Sequence, residues 1–262
     1  GKGANQAVAL ARLGATLTMI GAVGDDTEGR SLVNALKKEG IDTSGIQSLN
    51  VPSGKAFIQR TKEDNAIVVA PGANMAFDLD FDKLHLDGYD MVVLQNEIPF
   101  VLNKRIIEKA HLQDVLVLYN PAPAKAISDD LLKKINMLVL NETEARTITG
   151  ITVDSEAAIQ TVLSSLSKKV GGSVILTRGS KGASYVSNHS VYHAEAYKVN
   201  AIDTTGSGDA TVAGLAYSMS QGKTMDESVD FAQKCGALAA TKKGAQPSLP
   251  TMKDLLETEI KK

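Results

Sequence analysis

A doubly wound α/β fold, with a mostly parallel sheet and helices on both its faces, is what this sequence predicts. Three observations carry that reading. Short aliphatic and β-branched runs recur at 17–23, 91–94, 115–119, 137–140 and 174–177. Segments of helical periodicity lie between them, at 100–112, 128–135 and 155–169. Strands that alternate with helices need right-handed crossovers, and so pair in parallel.

Taken in order, the first run (17–23) follows a helix-like opening segment and is rich enough in aliphatic residues to be buried. The next extended pair breaks the rhythm. Lys55-Ala56-Phe57-Ile58-Gln59-Arg60 and Asn65-Ala66-Ile67-Val68-Val69 flank the polar Thr61-Lys62-Glu63-Asp64, which reads as an antiparallel hairpin, a lid over about 53–70. An edge hairpin with no function has the same pattern. The four later runs supply the central strands. Two helices rich in Ala, Val and Leu, 208–219 and 225–242, close the chain, their small residues permitting close packing. No repeat, low-complexity tract or long linker divides the chain, so residues 1–262 are expected to form a single domain.

Composition excludes several function classes. A net charge of −2, with only short basic doublets, is not the footprint of a nucleic-acid-binding protein. No apolar stretch approaches the roughly 20 residues needed to span a bilayer. The single cysteine, Cys235, cannot form an internal disulfide, and its small apolar neighbours mark it as a packing residue. A reducing, cytoplasmic location is expected.

The chemistry concentrates in Asp203-Thr204-Thr205-Gly206-Ser207-Gly208-Asp209-Ala210. Gly206 and Gly208 allow a tight turn that aims successive N–H groups at one point, and the start of the following helix adds its own unpaired N–H groups and dipole. Such a place holds a phosphate or a developing negative charge. Asp209 beside it can accept a proton from a hydroxyl attacking phosphorus. The same residues also fit a plain turn with Asp209 as a helix N-cap, and local sequence leaves both open.

Asp-Thr-Thr-Gly-Ser-Gly-Asp resembles the carboxy-terminal signature of the ribokinase, or PfkB, family of carbohydrate kinases. The opening stretch, Gly1-Lys2-Gly3-Ala4-Asn5-Gln6 through Gly14-Ala15, resembles that family's amino-terminal signature. Between them stand Gly21-Ala22-Val23-Gly24-Asp25-Asp26, Pro71-Gly72-Ala73-Asn74, Asn120-Pro121-Ala122-Pro123-Ala124, Asn141-Glu142-Thr143-Glu144 and Thr177-Arg178-Gly179-Ser180-Lys181-Gly182, with Lys243-Gly244-Ala245-Gln246-Pro247-Ser248 near the end. The match runs the whole chain in order, and its flanks are similar to the family's ribose-phosphorylating branch.

The resemblance implies in-line transfer of the ATP γ-phosphoryl to the 5-hydroxyl of D-ribose, with Asp209 as general base and the N–H groups of Gly206, Ser207 and Gly208 as anion hole. It implies sugar contacts from Gly1, Lys2, Asn5, Glu97 and Asp209, and ATP contacts from Asn141, Thr177, Gly179, Gly182 and Gly208. Asn141 and Glu144 would lie near Mg²⁺, and Asp203, Gly244 and Ser248 would surround K⁺. A homodimer through the lid is implied too. Ser207 departs from the alanine frequent in the family, Ala210 from a larger residue, and Arg178 from an apolar one. The chain enters its first helix without an initiator Met, so an opening strand and part of the lid, normal ahead of this signature, are expected to be missing from the sequence. The rival readings are another sugar or nucleoside kinase of the family, such as a deoxyribokinase or fructokinase, and a non-catalytic sugar- or nucleotide-binding protein. A dinucleotide-dependent dehydrogenase lacks the Gly-x-Gly-x-x-Gly turn it needs near the start.

Overall fold

The computed structural model describes residues 1–60, 65–187 and 190–262. α1 (Lys2–Leu13) ends on Gly14, whose φ of 99° forms a left-handed cap. β1 (Gly21–Gly24) leads to α2 (Thr27–Lys38), capped by the Asp26 carboxylate on the Gly29 N–H, and then to β2 (Ile46–Leu49). β1 and β2 pair in parallel, Gly21 opposite Ile46. The strand expected at 17–23 is therefore shorter and later; upstream, Thr18 makes only an isolated bridge to Asp42.

β3 (Lys55–Arg60) and β4 (Asn65–Ala70) form the expected antiparallel hairpin, Lys55 opposite Ala70. Its turn at 61–64 lies outside the described residues. Then follow α3 (Ala73–Ala76), β5 (Met91–Leu94), α4 (Phe100–Leu112), β6 (Leu116–Tyr119), α5 (Asp129–Leu132), β7 (Met137–Asn141), α6 (Glu142–Thr149), α7 (Glu156–Ser167), β8 (Ser173–Thr177), β9 (Ala183–Ser187) and β10 (Ser190–Ala194). The end is helical: α8 (Ser207–Ser220), α9 (Met225–Ala240) and a further short α10 (Met252–Glu257), which apolar periodicity alone did not predict.

β5 to β10 form one six-stranded sheet in the order β10-β9-β8-β7-β6-β5. β5 to β8 run parallel, and β9 and β10 are antiparallel additions at the far edge, so the sheet is mostly parallel as expected. Successive strand residues point to opposite faces. Leu138 and Leu140 of β7 and Val174 and Leu176 of β8 enter the core beneath α4 and α7, while Met137, Val139 and Ile175 enter the core beneath α8 and α9. Both faces are covered, which is why these strands read as continuous apolar runs rather than alternating ones.

The β1–β2 pair stands apart from this sheet. Between it and β5 lies a groove of about 380 Å³, with Met19, Ala22 and Val23 on one side and Met91, Val92 and Leu94 on the other. Among the described residues, no strand pairs with the edge of β1 or β5 that faces it.

Candidate active site

α8 begins with Gly206 as N-cap at φ 84°, a left-handed conformation that glycine adopts without strain. Asp209 is thus the third residue of the helix, not its cap, which corrects one of the two local readings. The Ser207 N–H turns back to the Thr204 carbonyl and the Ala210 N–H to Gly206. Those of Gly208 and Asp209 make no such bond among the described residues. A Cβ built on Gly208 meets nothing within 4 Å, so the space above these donors is open. Free N–H groups, a helix dipole and open space together suit an anion.

The Asp209 side chain, 7% exposed, does not bond its own helix. Its Oδ2 accepts from Asn5 Nδ2 at 2.8 Å and its Oδ1 from Gln6 Nε2 at 3.0 Å. Both donors sit in the first turns of α1, which packs on α8 through Ala7, Val8, Ala210 and Ala213. The two signatures, 203 residues apart in the chain, therefore meet at one carboxylate.

The sugar-side residues converge on the same spot. Glu97, just past β5, accepts the Lys2 backbone N–H at 2.6 Å, and Gly1 lies so close that a Cβ there would fall 2.5 Å from Glu97 Oε2. Glu144 and Asn141 form a complete capping box at the start of α6: Asn141 Oδ1 accepts the Glu144 N–H at 2.8 Å, and the Glu144 carboxylate accepts the Asn141 N–H and Nδ2 at 2.9 and 3.0 Å. Burial pushes the Glu144 carboxyl above its ordinary value. The Asn141 N–H and the Lys2 charge work against that push, and the Asp209 charge adds to it. Lys2, Glu144 and Asp209 are thus electrostatic neighbours.

Thr177 stands opposite Asn141 in the β7–β8 ladder, and its hydroxyl donates to the Leu140 carbonyl at 3.1 Å. Gly179 and Gly182 follow at φ 55° and 85°; a side chain on Gly182 would strike the Ala194 carbonyl. Arg178, facing away from α8, pairs with Glu156 at 3.0 Å. Asp203 accepts from Thr205 through one oxygen and from the Gly244 N–H at 3.0 Å through the other. Ser248 is fully buried beside the Thr205 and Ala245 carbonyls. Asn5 and Gln6 thus meet Asp209 directly, and Asp203, Gly244 and Ser248 cluster beside the loop that leads into α8.

Sequence reasoning assigned no role to Gln6, Gln95 or Asn120, although each lies in or beside a signature stretch. The structure builds them into the site: Gln6, 1% exposed, also reaches Asn120 Oδ1 at 3.4 Å and accepts from Gln95 Nε2 at 2.5 Å. The Ser207 hydroxyl is buried with no hydrogen-bond partner. Cys235, 1% exposed, has its thiol pushed up to about 12 by burial, as suits a packing residue. No helix among the described residues is long and apolar enough to cross a membrane.

The family model for pfkB family carbohydrate kinases matches residues 1–252. A Haemophilus influenzae ribokinase is 37% identical over 262 residues, covering 98% of this chain and 86% of that protein. A Salmonella typhi deoxyribokinase is 33% identical, covering 98% and 86%. The structure of Arabidopsis thaliana ribokinase complexed with ribose and ATP superposes with a TM-score of 0.92 at 30% identity, over 98% of this chain and 86% of that one. With its signatures assembled around one buried aspartate, this chain belongs to the PfkB family of carbohydrate kinases.

Proposed function

We propose that this protein transfers the γ-phosphoryl of ATP to the 5-hydroxyl of D-ribose, giving ribose 5-phosphate and ADP, with Asp209 as general base. The observation that carries the reading is the Asp209 carboxylate, buried beside the free N–H groups at the start of α8 and facing Asn5 of the sugar-side cluster. The likeness to ribokinases supports ribose as the acceptor.

A sugar hydroxyl is far less acidic than a carboxylic acid, so its proton moves to Asp209 late, as the new P–O bond forms. Positioning and charge stabilisation then supply most of the rate. The Gly206–Gly208 turn stabilises the charge that develops on the transferred group. Thr177, Gly179 and Gly182 bind the nucleotide with backbone that comes close to it. Among the described residues, no three acidic, His or Cys side chains gather as a metal cage. Glu144, with Asn141, would hold Mg²⁺ together with the nucleotide's own phosphates, the mixed oxygen ligands this ion prefers, and the ion would neutralise charge on those phosphates. Asp203, Gly244 and Ser248, with the Thr205 and Ala245 carbonyls beside them, form an oxygen-rich cluster that suits a monovalent cation such as K⁺.

In the β3–β4 hairpin the cross-strand partners Phe57 and Val68 share one face and are 60% and 65% exposed, which supports a homodimer that covers this face. Sedimentation of the protein as a monomer at every concentration would remove the dimer.

The decisive assay is ADP release with ATP, Mg²⁺ and K⁺ across ribose, 2-deoxyribose, fructose and adenosine, for the protein and for Asp209→Asn. Ribose-dependent turnover that falls by about a thousandfold or more in the variant is expected. A preference for deoxyribose would move the substrate to the neighbouring branch of the family. Full turnover by the variant would remove Asp209 as base.

A further inference from the structure

Gln6 is almost wholly enclosed, yet each polar atom of its side chain has a partner. Its Nε2 donates to Asp209 Oδ1 at 3.0 Å and lies 3.4 Å from Asn120 Oδ1; its Oε1 accepts from Gln95 Nε2 at 2.5 Å. The direction of this chain is forced. Asn120 donates its own Nδ2 to the Val139 carbonyl on β7 at 3.0 Å, so its oxygen must face Gln6. Two acceptors, Asn120 Oδ1 and Asp209 Oδ1, thus meet one end of Gln6, and only the amide nitrogen fits there. The carbonyl end then points to Gln95, which has to donate. Turning the Gln6 amide over would set oxygen against oxygen at two contacts.

The two oxygens of Asp209 are held differently as a result. Oδ2 is held by Asn5, which is half-buried and on the sugar side of the site. Oδ1 is held from the interior by an amide that has no freedom of its own. Resting on the reading of Asp209 as base, we propose that Gln6, anchored by Gln95 and Asn120, is a positioning residue that fixes the plane of the Asp209 carboxylate and leaves Oδ2 as the oxygen that takes the sugar proton. When a sugar engages Asn5, Gln6 still holds the carboxylate. Because Gln6 does not face the substrates, its contribution appears in kcat and leaves KM nearly unchanged. A buried amide that only stabilises the α1–α8 contact would instead change the fraction of folded protein.

The test compares wild type, Gln6→Met, Gln95→Leu and Asp209→Asn in steady-state turnover, with sites counted by calorimetric ATP binding. Gln6→Met keeps the length of the side chain and removes its hydrogen bonds. Its kcat per site is expected to fall about tenfold to a hundredfold, the cost of a misplaced catalytic group, with KM for sugar within about threefold. Gln95→Leu, at a half-buried position and one link removed, is expected to lose less, and it carries the test if Gln6→Met does not fold. A kcat per site equal to wild type in the folded variant, or a loss that only follows the number of sites, overturns the proposal. Turnover lost in Asp209→Asn but kept in Gln6→Met removes the positioning role alone; full turnover in Asp209→Asn removes the base and Gln6 with it. A crystal structure of Gln6→Met reads the same point without turnover: the carboxylate plane is expected to rotate, and an unchanged plane overturns the proposal.

Discussion

The six-stranded sheet and the β1–β2 pair are held together by different forces. In the large sheet, β7 is sealed on both sides: Met137, Leu138, Val139 and Leu140 are each 2% exposed or less, under helices on either face. In the small pair, every residue of β2 is at least partly exposed, and β1 borders the groove rather than another strand. Ala22, Leu36 and Ile41 give this second region some apolar contact, and a polar cluster fastens it further. Asp26 caps α2 on the Gly29 N–H at 2.6 Å and grips Ser53 through its N–H at 2.7 Å and its hydroxyl at 2.6 Å. The site straddles the two regions. Asp209, Glu144, Gly179 and Gly182 rest on the sealed sheet and its helices. The hairpin, which the fold leaves apolar and exposed, hangs from the looser region. On the proposed reading, groups that must hold position during phosphoryl transfer lie where packing is densest, and the hairpin proposed to close over a sugar lies where it is lightest.

Truncation separates the two regions most sharply. Leu138→Ala opens a cavity in a core that cannot collapse around it and is expected to cost about 2–5 kcal/mol in urea denaturation. Ile20→Ala, at the groove just before β1, where the residue is already 38% exposed, is expected to cost less than about 1 kcal/mol. Equal losses at the two sites would end the distinction.

A smaller effect comes from within the sealed region itself. The Ser207 hydroxyl is buried and unpartnered at the first residue of α8. Burying a hydroxyl without a partner costs more than the group returns. Ser207→Ala keeps the backbone N–H and is expected to gain about 1 kcal/mol of stability in the same denaturation measurement. A loss would mean that the hydroxyl finds a partner, such as water, in solution.

The two regions also differ in how plainly the sequence announced them. Strands buried on both faces need continuous apolar runs, so β5 to β8 stood out within a residue or so of their ends. The Asp203–Asp209 loop was equally legible, because its glycines, hydroxyls and carboxylates lie within eight residues. So was the Asn141–Glu144 pair, which proved to be a capping box in full. At the margins the reading failed for physical reasons. Leu17, Met19 and Ile20 are apolar because they line the groove, and their stretch makes only an isolated bridge at Thr18, so the strand was drawn too early. β10 is an edge strand without a buried residue, and it carries no apolar pattern to read. The Gln95–Gln6–Asn120 amides meet across separations of 89 and 114 residues. No spacing rule links them, and only the packing of α1 against the strand ends brings them together.

The gentlest test is acid, read at Asp26 by comparing wild type with a variant that lacks it. Hydrogen bonds from the Ser53 hydroxyl, the Ser53 N–H and the Gly29 N–H hold the Asp26 carboxyl down to about 2, from an ordinary 3.8. A carboxyl whose value is lowered by folding stabilises the fold above its unfolded value and loses that contribution as pH falls through the folded one. Wild type should therefore melt above Asp26→Ala by a constant few degrees from neutral pH down to about 4, and the gap should close as pH drops toward about 2. Thermal melts of the two proteins across that range measure it. Leu138→Ala, run alongside, removes only apolar contact, and its deficit should stay open over the same window. A gap for Asp26→Ala that persists undiminished at pH 2 would mean that Asp26 acts through shape rather than charge, and the contrast between a polar-fastened and an apolar-sealed region would lose its electrostatic half.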